Sequence, residues 1–201
     1  MNKNKNKLLI GLSGASHTGK TTIAKMLIKE YGFYDNTDFV TKHYIPKYGF
    51  PETTIESQLQ VIKVWESVVK SCTTHQVIDR TPLDHLVYAR LFHTISPDLI
   101  NIAWDCFTKI NLLIILPVVV WKDDTKQRYD EDIQKQYQHQ LEWFIKDYDS
   151  MYTGWSLNRG LLSNADKRVL YTMPPKKSSM EDLLKFAKYE VWSYMKVNNY
   201  I

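Results

Sequence analysis

Apolar positions along the chain alternate between two spacings: short unbroken runs, and recurrences every three or four residues. KLLIGL (7–12) is a short apolar run that leads into a glycine-bearing stretch and has the length of a buried strand. From Thr21 the spacing turns helical, with Ile23, Met26, Leu27 and Tyr31 on one face and Gly32 as the stop. DFVTKHY (38–44) predicts a short second strand. Thr53 to Glu56 has the spacing of a capping box ahead of SQLQVIKVWESVVK, a helix that turns Leu59, Ile62, Val64 or Trp65, and Val69 inward. HQVIDR (75–80) is strand-like and ends in two opposite charges.

The second half continues the alternation. Thr81, Pro82 and Asp84 match the cap, first and third positions of a helix over LDHLVYARLFH, and Ser96-Pro97 opens another helix in the same way. INLLIIL (110–116) has the composition of a strand buried on both faces. A long polar helix is predicted over 123–148, a last strand over KRVLYTM (167–173), and a final helix capped at Ser178 or Ser179 that carries Leu183, Leu184, Ala187, Val191 and Met195. Strands alternating with helices imply an α/β domain with a parallel sheet and helices on both faces.

Composition narrows the picture only slightly. The 201 residues suit one domain, 8–201, behind a solvated Asn/Lys tail at 1–7. Lys plus Arg number 26 against 22 for Asp plus Glu, so the net charge of +4 does not by itself imply nucleic-acid binding. The apolar run after the tail is shorter than the roughly 7–15 residues of a secretory signal. No stretch approaches the ~18 uninterrupted apolar residues of a membrane span. The two cysteines lack metal-ligand spacing and read as reduced, buried thiols. The chain is therefore expected to be cytoplasmic, in the host cytoplasm if its source is viral, with no membrane partner.

The sharp chemical signal is GASHTGKTT (14–22), which fits the phosphate-loop pattern G-x-x-x-x-G-K-[ST] after a strand and before a helix. Its glycines allow backbone N–H groups to converge on a phosphate, and the following helix adds its positive N-terminal end. Gly14, Ala15, Ser16, His17, Thr18, Gly19, Lys20, Thr21 and Thr22 are the predicted nucleotide-binding residues. Ser16 and His17 contribute through their backbone amides. Lys20 is placed to reach the β- and γ-phosphates of ATP, and the Thr21 hydroxyl to ligate Mg²⁺.

Three NTPase classes do not fit. No N-K-x-D motif follows for guanine recognition, and LSGAS (12–16) overlaps the phosphate loop and cannot serve as a transporter-ATPase signature. The strand QVID ends in Asp79-Arg80, not in the Asp-Glu pair that polarises water in motor-type ATPases. Asp79, at the C-terminal end of an inner strand, is positioned to hold Mg²⁺ or accept a hydroxyl proton, and Arg80 to bind an anion. A salt bridge between the two is the bland alternative. Asp84 is accounted for by its capping position and is left out of the site.

On these residues the sequence resembles the P-loop nucleoside and nucleotide kinases. VIDRTPLDHLVYAR is similar to the D-R-x-x-x-S-x-x-A-Y pattern of thymidylate kinases, to the E-R-S motif of deoxynucleoside kinases, and to kinases of the nicotinamide-riboside type. FVTKHYIP (39–46) falls where thymidylate kinases carry T-R-E-P, with Lys42 in place of the substrate-phosphate Arg and His43 in place of Glu. The resemblance implies a three-layer fold with a five-stranded parallel sheet in the order 2-3-1-4-5 and a small helical lid, near 121–150. It implies catalytic roles for Lys20, Asp79 and a lid arginine, Arg128, beside Lys122 and Lys126. It also implies substrate binding by Lys42 and Arg80, metal binding by Thr21 and Asp79, ATP and Mg²⁺ as cofactors, and transfer to a nucleoside or nucleoside monophosphate. Asp123, Asp124, Asp130, Glu131 and Asp132 surround the lid bases, so a solvated helix face is the competing account of Arg128. The aromatics of the long helix, Tyr137, Trp143, Phe144 and Tyr148, have helical spacing that suits the core, with stacking on a nucleobase as the alternative. A kinase acting on DNA or RNA ends or modified bases, a nucleotide-sensing module without turnover, and homodimerisation all stay open.

Overall fold

The computed structural model describes residues 7–49, 54–118, 131–152, 159–164, 167–175 and 178–201. In chain order the elements are β1 (Leu9–Ser13), α1 (Lys20–Tyr31), β2 (Tyr34–Asp35), a π-helical turn at Val40–Tyr44 running into α2 (Ile45–Tyr48), α3 (Ile55–Ser71), β3 (Gln76–Asp79), α4 (Pro82–Phe92) and α5 (Pro97–Phe107). They continue as β4 (Leu112–Ile115), α6 (Glu131–Tyr152), β5 (Arg159–Asn164), β6 (Lys167–Thr172) and α7 (Met180–Val197).

Period-two alternation within the central strands makes two cores. Ile10 and Leu12 of β1, Val77 of β3, and Leu112 and Ile114 of β4 meet Ile23, Ala24 and Leu27 of α1 and Leu183, Ala187, Val191 and Met195 of α7. Leu9, Ile78, Leu113 and Ile115 face the other way, onto α3, α4, α5 and α6, where Trp65, Phe107, Tyr137, Leu141 and Phe144 are buried. These three layers are the expected α/β arrangement. Among the described helices none is long and apolar enough to cross a membrane.

The sheet order is β2-β3-β1-β4-β6-β5. Its first five members are parallel neighbours, so the expected 2-3-1-4-5 order holds with Lys167–Thr172 as the fifth parallel strand. A sixth strand, β5, adds antiparallel to β6 in the register Arg159↔Thr172 to Asn164↔Lys167. The sequence pattern omitted it, although RGLLSN and KRVLYT flank a two-residue Ala-Asp spacer with the form of a hairpin.

The second strand lies earlier than predicted. It is only Tyr34–Asp35, and residues 40–48 are helical instead of extended. The Asp35 carboxylate accepts from the Thr37 N–H at 2.8 Å and from its hydroxyl, an Asx turn that stops the strand. Asp38 then takes a φ of 54°. The cap of α3 is Thr54, whose side chain accepts from Ser57 N, and Trp65, not Val64, is the residue turned fully inward. The 121–130 part of the expected lid lies outside the described residues. The 131–145 part is a helix whose Tyr137 and Phe144 are buried in the core, as their spacing suggested, together with Leu141 and Ile145, whereas Trp143 is 40% exposed under the Arg90 guanidinium.

Burial in these cores sets a scale for local defects. Leu27→Ala, fully buried between α1 and the sheet, is expected to cost about 3 kcal/mol in urea denaturation. Tyr189→Ala, at a side chain 58% exposed on α7, is expected to stay within about 0.5 kcal/mol of wild type.

Candidate active site

Because β1 ends at Ser13 and α1 begins at Lys20, residues 14–19 form a tight loop at the C-terminal edge of the sheet. Gly14 has a φ of 144°, and a Cβ there would lie 2.6 Å from the Leu116 carbonyl oxygen. Gly19, with φ 88°, is the N-cap of α1 and packs against the end of the Met180 side chain. His17 also adopts a positive φ, 61°. The loop closes on its own lysine: the buried Lys20 ammonium donates to Gly14 O at 2.8 Å, Ala15 O at 2.5 Å and Thr18 Oγ1 at 3.4 Å. From outside, the Ala15 N–H donates to Gln138 Oε1 of α6 at 3.3 Å.

The end of β3 faces this loop. Thr21 Oγ1 donates to Asp79 Oδ2 at 3.1 Å, and the Asp38 N–H donates to Asp79 Oδ1 at 2.9 Å. Arg80 takes a φ of 62° and turns its guanidinium away from Asp79, onto the Tyr88 hydroxyl at 3.0 Å and Ser16 Oγ at 3.4 Å. Between loop and strand lies a cleft of about 750 Å³, lined by residues 16–22, Asp38, Asp79, Arg80, Ser179 and Met180. The donors at its base, a threonine hydroxyl and a carboxylate, are hard oxygens. They suit Mg²⁺, which takes one or two protein ligands and completes its shell with phosphate and water. Thr21 and Asp79 are the residues that fit the ion.

Charge in the site is set by burial. Burial and the nearby Arg80 lower the Lys20 pKa to about 7, against opposing pulls from Asp84 and Asp79. Burial also works against the Arg80 charge, but Tyr88, Tyr137 and Asp84 outweigh it and hold its pKa above the ordinary value. Asp38 is pushed upward by burial and by Asp79.

The loop residues Ser16 to Thr22, Asp79 and Arg80 are thus brought together around one cleft, while Gly14 and Ala15 lie behind it with their carbonyls on Lys20. Lys42 does not line it; the lysine stands on the π-helical turn, 3.4 Å from Asp35. Arg128, Lys122 and Lys126 lie outside the described residues. Two groups escaped the sequence reading. Asp38 reaches the cleft because the chain turns helical where a strand was expected, and no motif marked it. Asp84 does cap α4, in a capping box with Thr81. It also accepts from the Ser13 hydroxyl at 2.6 Å and from the Tyr137 hydroxyl of α6, and it is fully buried. A capping position in sequence gives no sign of what lies behind the cap.

The layer order and the loop give a fold similar to that of solved deoxyadenosine and thymidylate kinases. Among solved structures, NadR in complex with NR is similar with a TM-score of 0.60 at 14% identity, over 92% of this chain and 51% of that one. The chain thus spans about half the length of NadR. Deoxyadenosine kinase from M. mycoides with bound dCTP gives a TM-score of 0.59 at 16% identity, covering 92% of this chain and 100% of that one. Thymidylate kinase from Candida albicans gives 0.57 at 15% identity, covering 96% and 92%. At these identities the likeness is one of fold. No protein-family model and no curated protein sequence matches the chain.

The depressed Lys20 pKa has a consequence for stability. Between about 7 and 10.5 the unfolded chain holds a proton on this lysine that the folded chain has lost, so raising the pH favours folding. Below that window both states are protonated, and the burial cost is fully present. Without nucleotide, the Lys20 contribution to unfolding free energy should rise by up to about 1.4 kcal/mol per pH unit across the window. Lys20→Met should remove that rise, as read from urea midpoints between pH 7 and 9.5.

Proposed function

We propose that this protein is an ATP- and Mg²⁺-dependent kinase that transfers the γ-phosphoryl group to a nucleoside or nucleoside monophosphate. The observation that carries this reading is the joint one: a phosphate loop with its Lys20 and Thr21, held opposite Asp79, Arg80 and Asp38 across a single cleft. The kinase folds it resembles bind nucleoside-type ligands by their own descriptions, NR in one case and dCTP in another.

In this mechanism the loop amides cradle the phosphates. Lys20 turns from the Gly14 and Ala15 carbonyls to the β- and γ-oxygens. Thr21 and Asp79 would hold Mg²⁺, which would supply charge neutralisation at the transferred group. Arg80, anchored by Tyr88, presents its remaining N–H groups to the equatorial oxygens of the transferred group. Asp79 already accepts a hydrogen bond on each carboxylate oxygen, which favours metal holding over proton abstraction. Asp38, raised by burial, is the better base for a neutral hydroxyl. An acceptor that is already a phosphate needs no base. The segment around Arg128 is proposed as the lid, and Lys42 as an acceptor-side cation on the rim. Next to Asp38, Phe39 packs edge-on to His85, whose ring hydrogen-bonds Gln58 at 3.0 Å, and the buried His85 Nε2 has no hydrogen-bond partner among the described residues.

ADP release from Mg-ATP is measured across nucleosides, deoxynucleoside monophosphates, nicotinamide riboside and short DNA, with Lys20→Ala as control. One small acceptor should stimulate release, and Lys20→Ala should abolish it. For a nucleoside acceptor, Asp38→Asn should lower kcat by about 10²–10⁴; for a monophosphate it should leave kcat within a few-fold. Stimulation by DNA alone would transfer the reading to nucleic-acid ends. Nucleotide binding with no acceptor-dependent release would favour a sensing module.

A further inference from the structure

Asp84 does more than cap a helix, and the chain carries its own control for that statement. The N-terminus of α7 has the same capping box, Ser179 with Asp182 at the third position. There the acid lies at the surface, and its hydrogen bonds are with Ser179. Asp84 makes the equivalent bonds to Thr81, from its N–H at 2.6 Å and its hydroxyl at 2.9 Å. It then takes three more, from the Ser13 hydroxyl at 2.6 Å, the Gly14 N–H at 3.4 Å and the Tyr137 hydroxyl. Its exposure is 0%. Burying a carboxylate is expensive unless it is fully hydrogen-bonded, and capping alone would leave the acid in water, as Asp182 is.

The elements these bonds join are informative. Ser13 and Gly14 are the root of the phosphate loop. Thr81 lies two residues beyond Asp79 and one beyond Arg80. Tyr137 belongs to α6, whose next residue, Gln138, accepts from the loop amide of Ala15. One carboxylate therefore ties together the loop, the end of β3 and α6.

We propose that Asp84 is a positioning residue that fixes the phosphate loop, with its Thr21, in register with Asp79 and Arg80 across the cleft, and that Tyr137 links α6 to this setting. The inference rests on the kinase reading above and deepens it. Asp84 touches neither Thr21 nor Asp79 among the hydrogen bonds of the described residues; it acts through the backbone of Gly14 and Thr81. Burial pushes its carboxyl up, but Arg80, Lys20 and the hydrogen bonds from Ser13 and Tyr137 pull it below the usual carboxylate range, so it works as the anion. In Asp84→Asn the amide nitrogen must face donors at one end or the other, either Ser13 and Thr81 or Gly14 and Tyr137, so the tie through the carboxylate is weakened and the direct Ser13–Thr81 hydroxyl contact at 2.9 Å is left to hold the two sides.

The test separates the nucleotide from the metal. ATP affinity is measured with and without Mg²⁺ for wild type, Asp84→Asn, Tyr137→Phe and the double variant, with thermal midpoints in parallel. Affinity without Mg²⁺ depends on the loop and Lys20 alone. It should hold within about twofold or tighten, because a negative charge near the phosphates has gone. The gain on adding Mg²⁺ needs Thr21 and Asp79 at the right separation. It should fall about tenfold in Asp84→Asn and less in Tyr137→Phe, with the double variant no worse than Asp84→Asn, because Tyr137 acts through Asp84. An unchanged Mg²⁺ gain in these variants would overturn the proposal, as would equal losses with and without the ion, the mark of a damaged fold. Tyr137→Phe, which removes one hydroxyl, decides the matter if Asp84→Asn does not fold. Wild type that binds no ATP at all would overturn the kinase reading and this inference with it; wild type that binds while the variants match it overturns this inference alone.

Discussion

β1 is hydrogen-bonded in parallel to β3 on one side and to β4 on the other, and the site depends on that double constraint. A strand locked on both edges has no freedom to shift register, so the chain must leave it at Ser13, at the middle of the sheet's C-terminal edge. Leu12 pairs with Asp79 and Ser13 with Ile115 in the two ladders. The same hydrogen bonds that build the sheet therefore bring the loop root level with the acid of β3. The pairing extends one step on each side, through Arg80 N to Leu12 O at 2.9 Å and Leu116 N to Ser13 O at 2.8 Å. Gly14 then has to turn against the Leu116 carbonyl, where a side chain would collide. The phosphate loop is shaped by its neighbours as much as by its own glycines.

Much of this was legible in the sequence because its signals are local. The loop motif, the helix starts at Thr81, Ser96 and Ser179, and the buried runs of β1, β3 and β4 each depend on residues a few places apart. What was missed depends on contacts between distant segments. The 38–44 segment carries strand-forming residues, but Asp35 and Thr37 turn the chain before it, and Phe39 and Tyr44 are drawn into the core on a helical turn. Strand β5 exists through pairing with β6, and its own pattern is weak. Asp84 shows the limit most clearly. Its capping role follows from three neighbouring residues, but its bonds to Ser13 and Tyr137 span 71 and 53 positions in the chain.

Four charged side chains, Lys20, Asp79, Arg80 and Asp84, stand beside the cleft, and Lys20, Asp79 and Asp84 are buried. Two are bases and two are acids, so the charges balance in number, with little water to screen them. Burial is what depresses Lys20 most, with Arg80 second and the two acids pulling the other way. A site built this way keeps its lysine out of water at a cost, and an anion beside Lys20 would favour the charged form. A further acid beside Lys20 would do the same in the free protein and leave the cleft less receptive to an anion.

The backbone repeats that compromise. His17, Asp38 and Arg80 line the cleft, and each holds a left-handed conformation without being glycine. Such residues cost on the order of 1 kcal/mol apiece, and the sheet and helices around them enforce the conformation during folding. The cleft is therefore already set when a ligand arrives, and binding does not have to freeze it. Selection for thermal robustness alone would press on these three positions, so a hardened variant of this chain is most at risk of losing its shape where it meets its ligands.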